Sequence, residues 1–444
     1  MVNKAQLAFL IFFISTVGLL AQSSDTTFYS GQYSIKVDSI VIKGNEKTDA
    51  FIILNELTFH TDEIVNPKIL SYNRERIYSL GIFTHVDLIP LNVDSLNIVE
   101  IKVRESWYIF PIPFLYANNN DWRKLSYGID LFIQNFRGNN EKIRLHAGFG
   151  YDPNYLISYA NPYISRDHNI FLNANVSYSK IKNKSDIARL LYGADFDQKV
   201  SGANIQVGKR IGLFQKLYLN LGYNVIETPF YISGISVSGS RIDRVLTTGV
   251  GYIYDTRDLS QFARDGTYFN TTFDLKGLNI DNINYNVFSF DLRKYFKLTN
   301  DLSFKGRIRS RITSGSQVPY NDFSFFGYED RVRGYYYNKR EGNSSYLSSV
   351  ELDYPVIKDL NVNLNFIPLL PKALFSYRIA IYAELFADAG LTKLKGEAMT
   401  IKKVDSGYGA GLTFLILPYS IFRIEYAIND LGRSQWILGI GTSF

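Results

Sequence analysis

From about residue 107 to the C-terminus, apolar and polar or small residues alternate with a period of two, and this limits the fold more than any other feature. Ile170, Leu172, Ala174, Val176 and Tyr178 alternate with Phe171, Asn173, Asn175, Ser177 and Ser179. Leu217, Leu219, Leu221, Tyr223 and Val225 form a second apolar row, and Tyr408, Ala410, Leu412, Phe414 and Ile416 a third. Side chains along a strand point to opposite faces in turn, so each row gives one apolar face and one polar face. A soluble β-sandwich and a transmembrane barrel both fit that pattern. No stretch beyond the first 21 residues reaches 18 apolar residues, so a membrane-resident chain must cross as closed strands. The 33 Tyr and 32 Phe against 2 Met favour the barrel, because aromatic girdles line its rims. At roughly 20 residues per strand and turn, segment 107–444 is long enough for a large antiparallel barrel.

The N-terminus reads differently. Lys4, the apolar run Leu7 to Leu20 and Ala21-Gln22 have the order of a secretory signal peptide over residues 1–21. A membrane-anchor helix is the competing reading, but the apolar run is shorter than the ~20 residues a span requires. No Cys follows, so a lipid anchor at the mature terminus is not expected. A short linker, 22–32, leads to a small mixed unit over 33–106. Alternation at Ile35–Ile42 predicts a strand ending at Gly44-Asn45, and Thr48 is placed to cap a helix carrying Phe51, Ile52, Leu54 and Leu57. Asn66-Pro67 opens a second helix that ends at Gly81. Strands near Phe83–Leu88 and Ile98–Val103 complete a β-α-α-β-β order.

Several chemistries are excluded or unsupported. The absence of Cys removes disulfide scaffolds, thiolate metal sites and thiol catalysis. His60, His85, His146 and His168 lie far apart, without metal-ligand spacing. No catalytic residues, metal site or cofactor are expected, and the chain does not read as an enzyme. Gly407-Tyr408-Gly409-Ala410-Gly411 superficially resembles a dinucleotide loop, but it sits on an alternating strand with no helix after it. Net charge is only +6, and nucleic-acid binding is not expected. The one basic run, Lys305, Arg307, Arg309 and Arg311, alternates with apolar or small residues, so all four cations share one strand face. Arg facing lipid near the midplane costs ~2–4 kcal/mol, which turns this face to the lumen. It reads either as a wall binding anionic partner groups or a plug loop, or as a merely solvated face.

Short motifs then resemble one family. Val332-Arg333-Gly334-Tyr335, preceded by Phe326-Gly327, looks like the V-R-G-Y loop of the BamA/TamA and TpsB superfamily of bacterial surface-antigen barrels. Phe386-x-Asp388-x-Gly390 resembles its F-x-D-x-G strand motif, in the expected order. Asp255-Thr256-Arg257-Asp258 followed by Gly266 resembles its D-T-R-D…G segment, with Arg264-Asp265 where a proline is usual. Asn135–Glu141 resembles its first-hairpin motif, and Glu351-Leu352-Asp353-Tyr354-Pro355 also fits. The 33–106 unit, with Lys43-Gly44-Asn45 and Leu80-Gly81-Ile82-Phe83, is similar to a POTRA domain, a periplasmic module. The resemblance covers residues 33–444.

That resemblance implies a fold that is mainly β: a transmembrane antiparallel barrel of about 16 strands behind one POTRA-like domain, in the outer membrane of a Gram-negative bacterium. It implies that the loop carrying Arg333 enters the lumen and pairs with Asp388. It also implies a weak seam between a first strand near Tyr127–Asn135 and a last strand Trp436–Phe444. In the latter, Trp436, Leu438, Ile440 and Phe444 share a face and Gly439 and Gly441 weaken the strand. Expected partners are unfolded outer-membrane or secreted client proteins, the lipid bilayer, and periplasmic lipoproteins or chaperones. Three functions compete: an assembly or translocation factor, a dedicated two-partner secretion pore, and a passive channel. The short Gln22–Gln32 stretch counts against the plug helix usual in secretion pores, and the single POTRA unit counts against the central insertase.

Overall fold

The computed structural model describes residues 22–23, 33–117, 122–183, 185–231, 235–315, 318–327, 330–336, 338–363, 373 and 376–443. The expected signal peptide, nearly all of the linker and Phe444 lie outside the described residues.

The N-terminal unit contains β1 (Ser39–Lys43), α1 (Ala50–Leu54), α2 (Pro67–Tyr78), β2 (Phe83–Val93) and β3 (Leu96–Glu105). β3 is central, parallel to β1 and antiparallel to β2. The strand expected from Ile35 to Ile42 is split. Ile35–Lys36 pairs with Ile64–Val65, and Val37 is buried between the two pieces. Asn66 caps α2 by accepting from the Ile69 N–H, and Pro67 occupies its first turn, where no donor is needed. The cap of α1 is Asp49, not Thr48: Asp49 Oδ1 accepts from the Phe51 N–H at 2.9 Å. Thr48 is drawn away because its N–H and hydroxyl both bind Glu105 at 2.6 Å. Ile52, Ile53, Leu70, Ile77, Phe83, Leu88, Val99 and Ile101 fill the core. Each such side chain contributes about 1.5–3 kcal/mol of burial free energy.

Sixteen strands follow as one antiparallel sheet. They are β4 (Ile109–Ala117), β5 (Leu125–Phe136), β6 (Glu141–Gly150), β7 (Asn154–Ser165), β8 (Ile170–Lys182) and β9 (Asp197–Ile211). Then come β10 (Gln215–Glu227), β11 (Ile242–Asp255), β12 (Gly266–Lys276), β13 (Tyr285–Lys297) and β14 (Ser303–Gly315). β15 (Ser344–Asn363), β16 (Ser376–Lys393), β17 (Asp405–Leu417), β18 (Ser420–Asn429) and β19 (Ser434–Ile440) complete the order. Each strand pairs with the next, and β4 and β19 are neighbours in the sheet order. Leu217, Leu219, Leu221, Val176, Ile308, Leu385 and Trp436 are exposed on the outer surface, the row that lipid would cover. The opposite faces carry buried charge.

Two expectations about the seam are corrected. The first strand is Ile109–Ala117 rather than Tyr127–Asn135, so the Asn135–Glu141 hairpin joins the second and third strands. Pro111 and Pro113 disguise β4 in the sequence, yet an edge strand tolerates proline because one side needs no ladder donors. The last strand stops at Ile440 rather than Phe444. Gly441 has φ +88°, a left-handed conformation that ends the alternation, and its N–H still donates to Ile421 O at 2.9 Å.

The N-terminal unit is docked on one rim of the barrel. Arg210 reaches Glu56 at 2.8 Å, Arg378 reaches Glu75 at 2.6 Å and Arg166 reaches Asp49 at 2.7 Å. Gly138 in the β5–β6 hairpin approaches so closely that a Cβ there would lie 2.0 Å from Lys47 O. Asn135 Nδ2 donates to Thr48 Oγ1, and the Asp49 N–H donates to Gly138 O. The turn 256–265 folds toward the same unit, putting Leu259 and Phe262 into one apolar cluster with Val37, Tyr78, Tyr382 and Leu415. Asp258 organises that turn by accepting from the N–H groups of Leu259, Arg264 and Asp265.

Candidate functional site: a loop latched inside the barrel

The segment between β14 and β15 turns back into the barrel. Its short hairpin pairs Ser324–Phe326 with Arg340–Gly342. Arg333 is 5% exposed. Its Nε and Nη2 donate to the two oxygens of Asp388 at 2.7 and 2.8 Å, the two-pronged geometry a carboxylate favours. The Arg333 N–H adds a third bond to Asp388 at 3.0 Å, and Nη1 reaches Glu351 and Glu425 at 3.0 Å each. The guanidinium also lies 3.7 Å from the Phe386 ring centroid. One cation thus joins carboxylates from β15, β16 and β18.

Glycines make the space. Gly334 has φ +102°, and its carbonyl accepts from Asn429 Nδ2 at 3.1 Å. A Cβ on Gly407 would sit 1.9 Å from Arg333 O, and one on Gly409 would meet the Phe386 ring at 2.7 Å. A Cβ on Gly390 would lie 2.8 Å from both Val332 and Phe326. Val332, Tyr335, Phe326 and Leu347 pack as a small buried cluster, and the Tyr335 hydroxyl donates to Asp430.

The loop is also tied to the last strand. With its amide oxygen turned toward the loop, Gln435 accepts from the Gly334 N–H at 2.8 Å and the Tyr336 N–H at 2.9 Å. Beyond β19, Ser443 Oγ donates to Glu351 at 2.7 Å. Arg423 bridges Glu425 at 2.9 Å and Gly441 O at 2.9 Å. Trp436, Leu438 and Ile440 point outward at 65%, 46% and 79% exposure, while Ile437 is fully buried.

The basic face of β14 is directed inward, and each of its cations has a carboxylate from this chain. Lys305 contacts Glu351 at 3.0 Å and Asp353 at 2.9 Å, over the Phe262 ring. Arg307 binds Asp291 at 2.7 Å. Arg309 and Arg311 hold Asp330 and Asp322 of the inward segment. Among the described residues, Glu351, Asp353 and Glu384 bring carboxylate oxygens within 4.8 Å of one another, a spacing that could hold a metal ion. The Lys305 ammonium already supplies a cation there.

Sequence reasoning did not single out Glu425, Gln435, Arg423 or Ser443 as parts of this network. Glu425 and Gln435 did carry a signal, since each is a polar residue at the inward parity of its strand. The rim ion pairs were also missed, because nothing in one sequence links Glu75 to Arg378.

The model of the Omp85 superfamily domain matches residues 135–444, well over half the chain. The chain belongs to the Omp85 superfamily. Residues 35–106 match the POTRA model described as a surface antigen variable number repeat. Among solved structures, BamA from Haemophilus ducreyi lacking POTRA domains 1–3 is 17% identical, with a TM-score of 0.52. That alignment covers 92% of this chain and 84% of that one. CdiB from Escherichia coli is 11% identical over 96% of this chain and 94% of its own, with a TM-score of 0.50. Both likenesses are of fold. Comparison with curated protein sequences finds no match. Membership in this superfamily supports an outer-membrane role in insertion or secretion, with the POTRA domain in the periplasm.

Proposed function

We propose that this Omp85 chain is an assembly or translocation factor of a Gram-negative outer membrane, inserting or transporting client proteins without a catalytic step or cofactor. The observation that carries the reading is the coupling of the Arg333 loop to the last strand. Gln435, Ser443 and Arg423 link that strand and the chain just beyond it to the Arg333–Glu351–Glu425 charges. A passive channel has no need of such coupling. The POTRA domain docks unfolded clients delivered by periplasmic chaperones or lipoproteins, and an exposed sheet edge receives an extended segment by main-chain pairing. The latched loop holds the seam strand until a client arrives.

The test is reconstitution in liposomes with an unfolded outer-membrane barrel as client and Arg333→Ala alongside. The reading predicts accelerated folding of the client, diminished in the variant. No acceleration, with ion conductance intact in both proteins, would favour a dedicated secretion pore or a passive channel.

A further inference from the structure

One cross-strand row on the inner face of the barrel is acidic. Ser303 of β14 lies opposite Asp353 of β15, and Asp353 opposite Glu384 of β16. Glu384 lies opposite Gly411 of β17, and Gly411 opposite Glu425 of β18. Residues directly opposite on one face have Cβ atoms about 4.5–5.5 Å apart, and like charges placed so repel. Ser303, Asp353, Glu384 and Glu425 are each at most 2% exposed. Among the described residues, the Ser303 hydroxyl, both oxygens of Asp353, Glu384 Oε1 and Glu425 Oε2 have no hydrogen-bond partner.

The buried cations do not match this charge. Among the described residues, Lys305, Arg333 and Arg423 share the region with Glu351, Asp353, Glu384, Asp388 and Glu425. Three positive charges face five negative ones, an excess of two. Arg333 and Arg423 are committed to Asp388, Glu351, Glu425 Oε1 and Gly441 O. Lys305 sits over the Phe262 ring, 2.9 Å from Asp353 Oδ2 and 3.0 Å from Glu351. Glu384 is left with the Thr413 hydroxyl, which donates to Oε2 at 2.6 Å. A buried carboxylate without compensation is costly, so an unpaired one marks a place where something else binds. Gly411 provides room for it: a Cβ there would lie 2.7 Å from Glu384 Oε1 and 2.9 Å from Glu425 Cγ.

We infer that this row holds one calcium ion, bound by Glu351, Asp353 and Glu384, with Glu425 beside it across Gly411. The inference goes beyond the proposed function and does not depend on it. The donors are all oxygen, which suits a hard cation. Oxygens of the three carboxylates lie within 4.8 Å of one another, and calcium–oxygen distances of about 2.3–2.6 Å fit inside such a set. Magnesium keeps several waters and takes one or two carboxylates, whereas this set is buried and offers three. One divalent ion balances the two excess charges, and Lys305 alone does not. The ion takes part in no chemical step. It ties β15 to β16 beside the Arg333 latch, since Glu351 belongs to both.

The test refolds the full chain in a neutral detergent, where no anionic lipid competes for the ion, once with calcium and once with EGTA. Heat-modifiable gel migration verifies folding, and bound calcium is counted by atomic emission after free ion is removed. One ion per chain is expected. Glu384→Gln keeps an acceptor for Thr413 and removes the charge. It should weaken binding by more than about tenfold, since losing even a partner behind a metal ligand costs about 10–100-fold. Asp353→Asn should do the same and serves if the first variant does not fold, while Glu46→Gln, exposed on the POTRA domain, should change nothing. Calcium should raise the temperature at which the folded band of the native protein is lost, and should not do so for Glu384→Gln. No bound ion, with stability indifferent to calcium and EGTA, would overturn the inference and leave a proton shared by Glu384 and Glu425 to balance the row. Calcium retained in both Glu384→Gln and Asp353→Asn would overturn it too, by placing the ion elsewhere. Client folding is not read in this experiment, so its failure leaves the proposed function standing.

Discussion

Arg333 shows how one residue can hold several strands together. Its charge is desolvated, and Asp388, Glu351 and Glu425 compensate it with directed bonds. Removing one partner of a buried ion pair costs about 3–5 kcal/mol, because the carboxylates left behind have no counter-ion. Arg333→Ala should therefore lower the temperature at which the folded band is lost in a heat-modifiability series. Replacing Asp388 as well should cost less than the two single changes together, since the pair acts as a unit. Strictly additive losses would show that the pair is not coupled. The motif residues of this site were legible in the sequence, since V-R-G-Y and F-x-D-x-G occupy the two ends of the contact. The partners Glu425 and Ser443 were not, because they lie 92 residues from Arg333 and from Glu351 respectively, and only strand register brings them together.

At the scale of elements, the docking of the POTRA domain on the barrel depends on charge. Burial alone raises the Glu75 carboxyl, but the Arg378 and Arg74 guanidiniums outweigh it and hold the group down at about 2. Arg74 lies on the same helix as Glu75 and stays beside it after undocking. The docked state therefore gains only the part of the lowering that Arg378 of the barrel supplies, fully present above the ordinary value of 4.5. That stabilisation is lost as pH falls from 4.5 toward 2. Exposure of the rim to a protease or a thiol label should therefore stay constant from neutral pH to about 5 and rise below 4.5. Arg378→Gln should shift the onset to higher pH, and an unchanged onset would remove this ion pair from the account. Elements were legible wherever hydrophobic period was clear, as at Leu217–Leu221. β4 was not, because two prolines mimic a loop. Thr48 was misplaced as a cap because its hydroxyl is consumed by Glu105.

For the whole molecule, sixteen strands, a docked POTRA domain and an inward loop form one system in which the last strand is tied to the interior. The strand count rested on the family resemblance more than on segment length, since 338 residues at roughly 20 per strand and turn give about 17. The docking was not legible, because it depends on shape: Gly138 fits against Lys47 only once both units are folded. The central claim is that clients are handled at the seam between β4 and β19. The most direct measurement joins Leu115→Cys and Ser434→Cys across that seam with a reducible bifunctional thiol reagent and follows client folding in liposomes. Client folding is predicted to fall to the protein-free rate while the link is intact and to recover on reduction. Acceleration that persists with the seam closed would contradict the account.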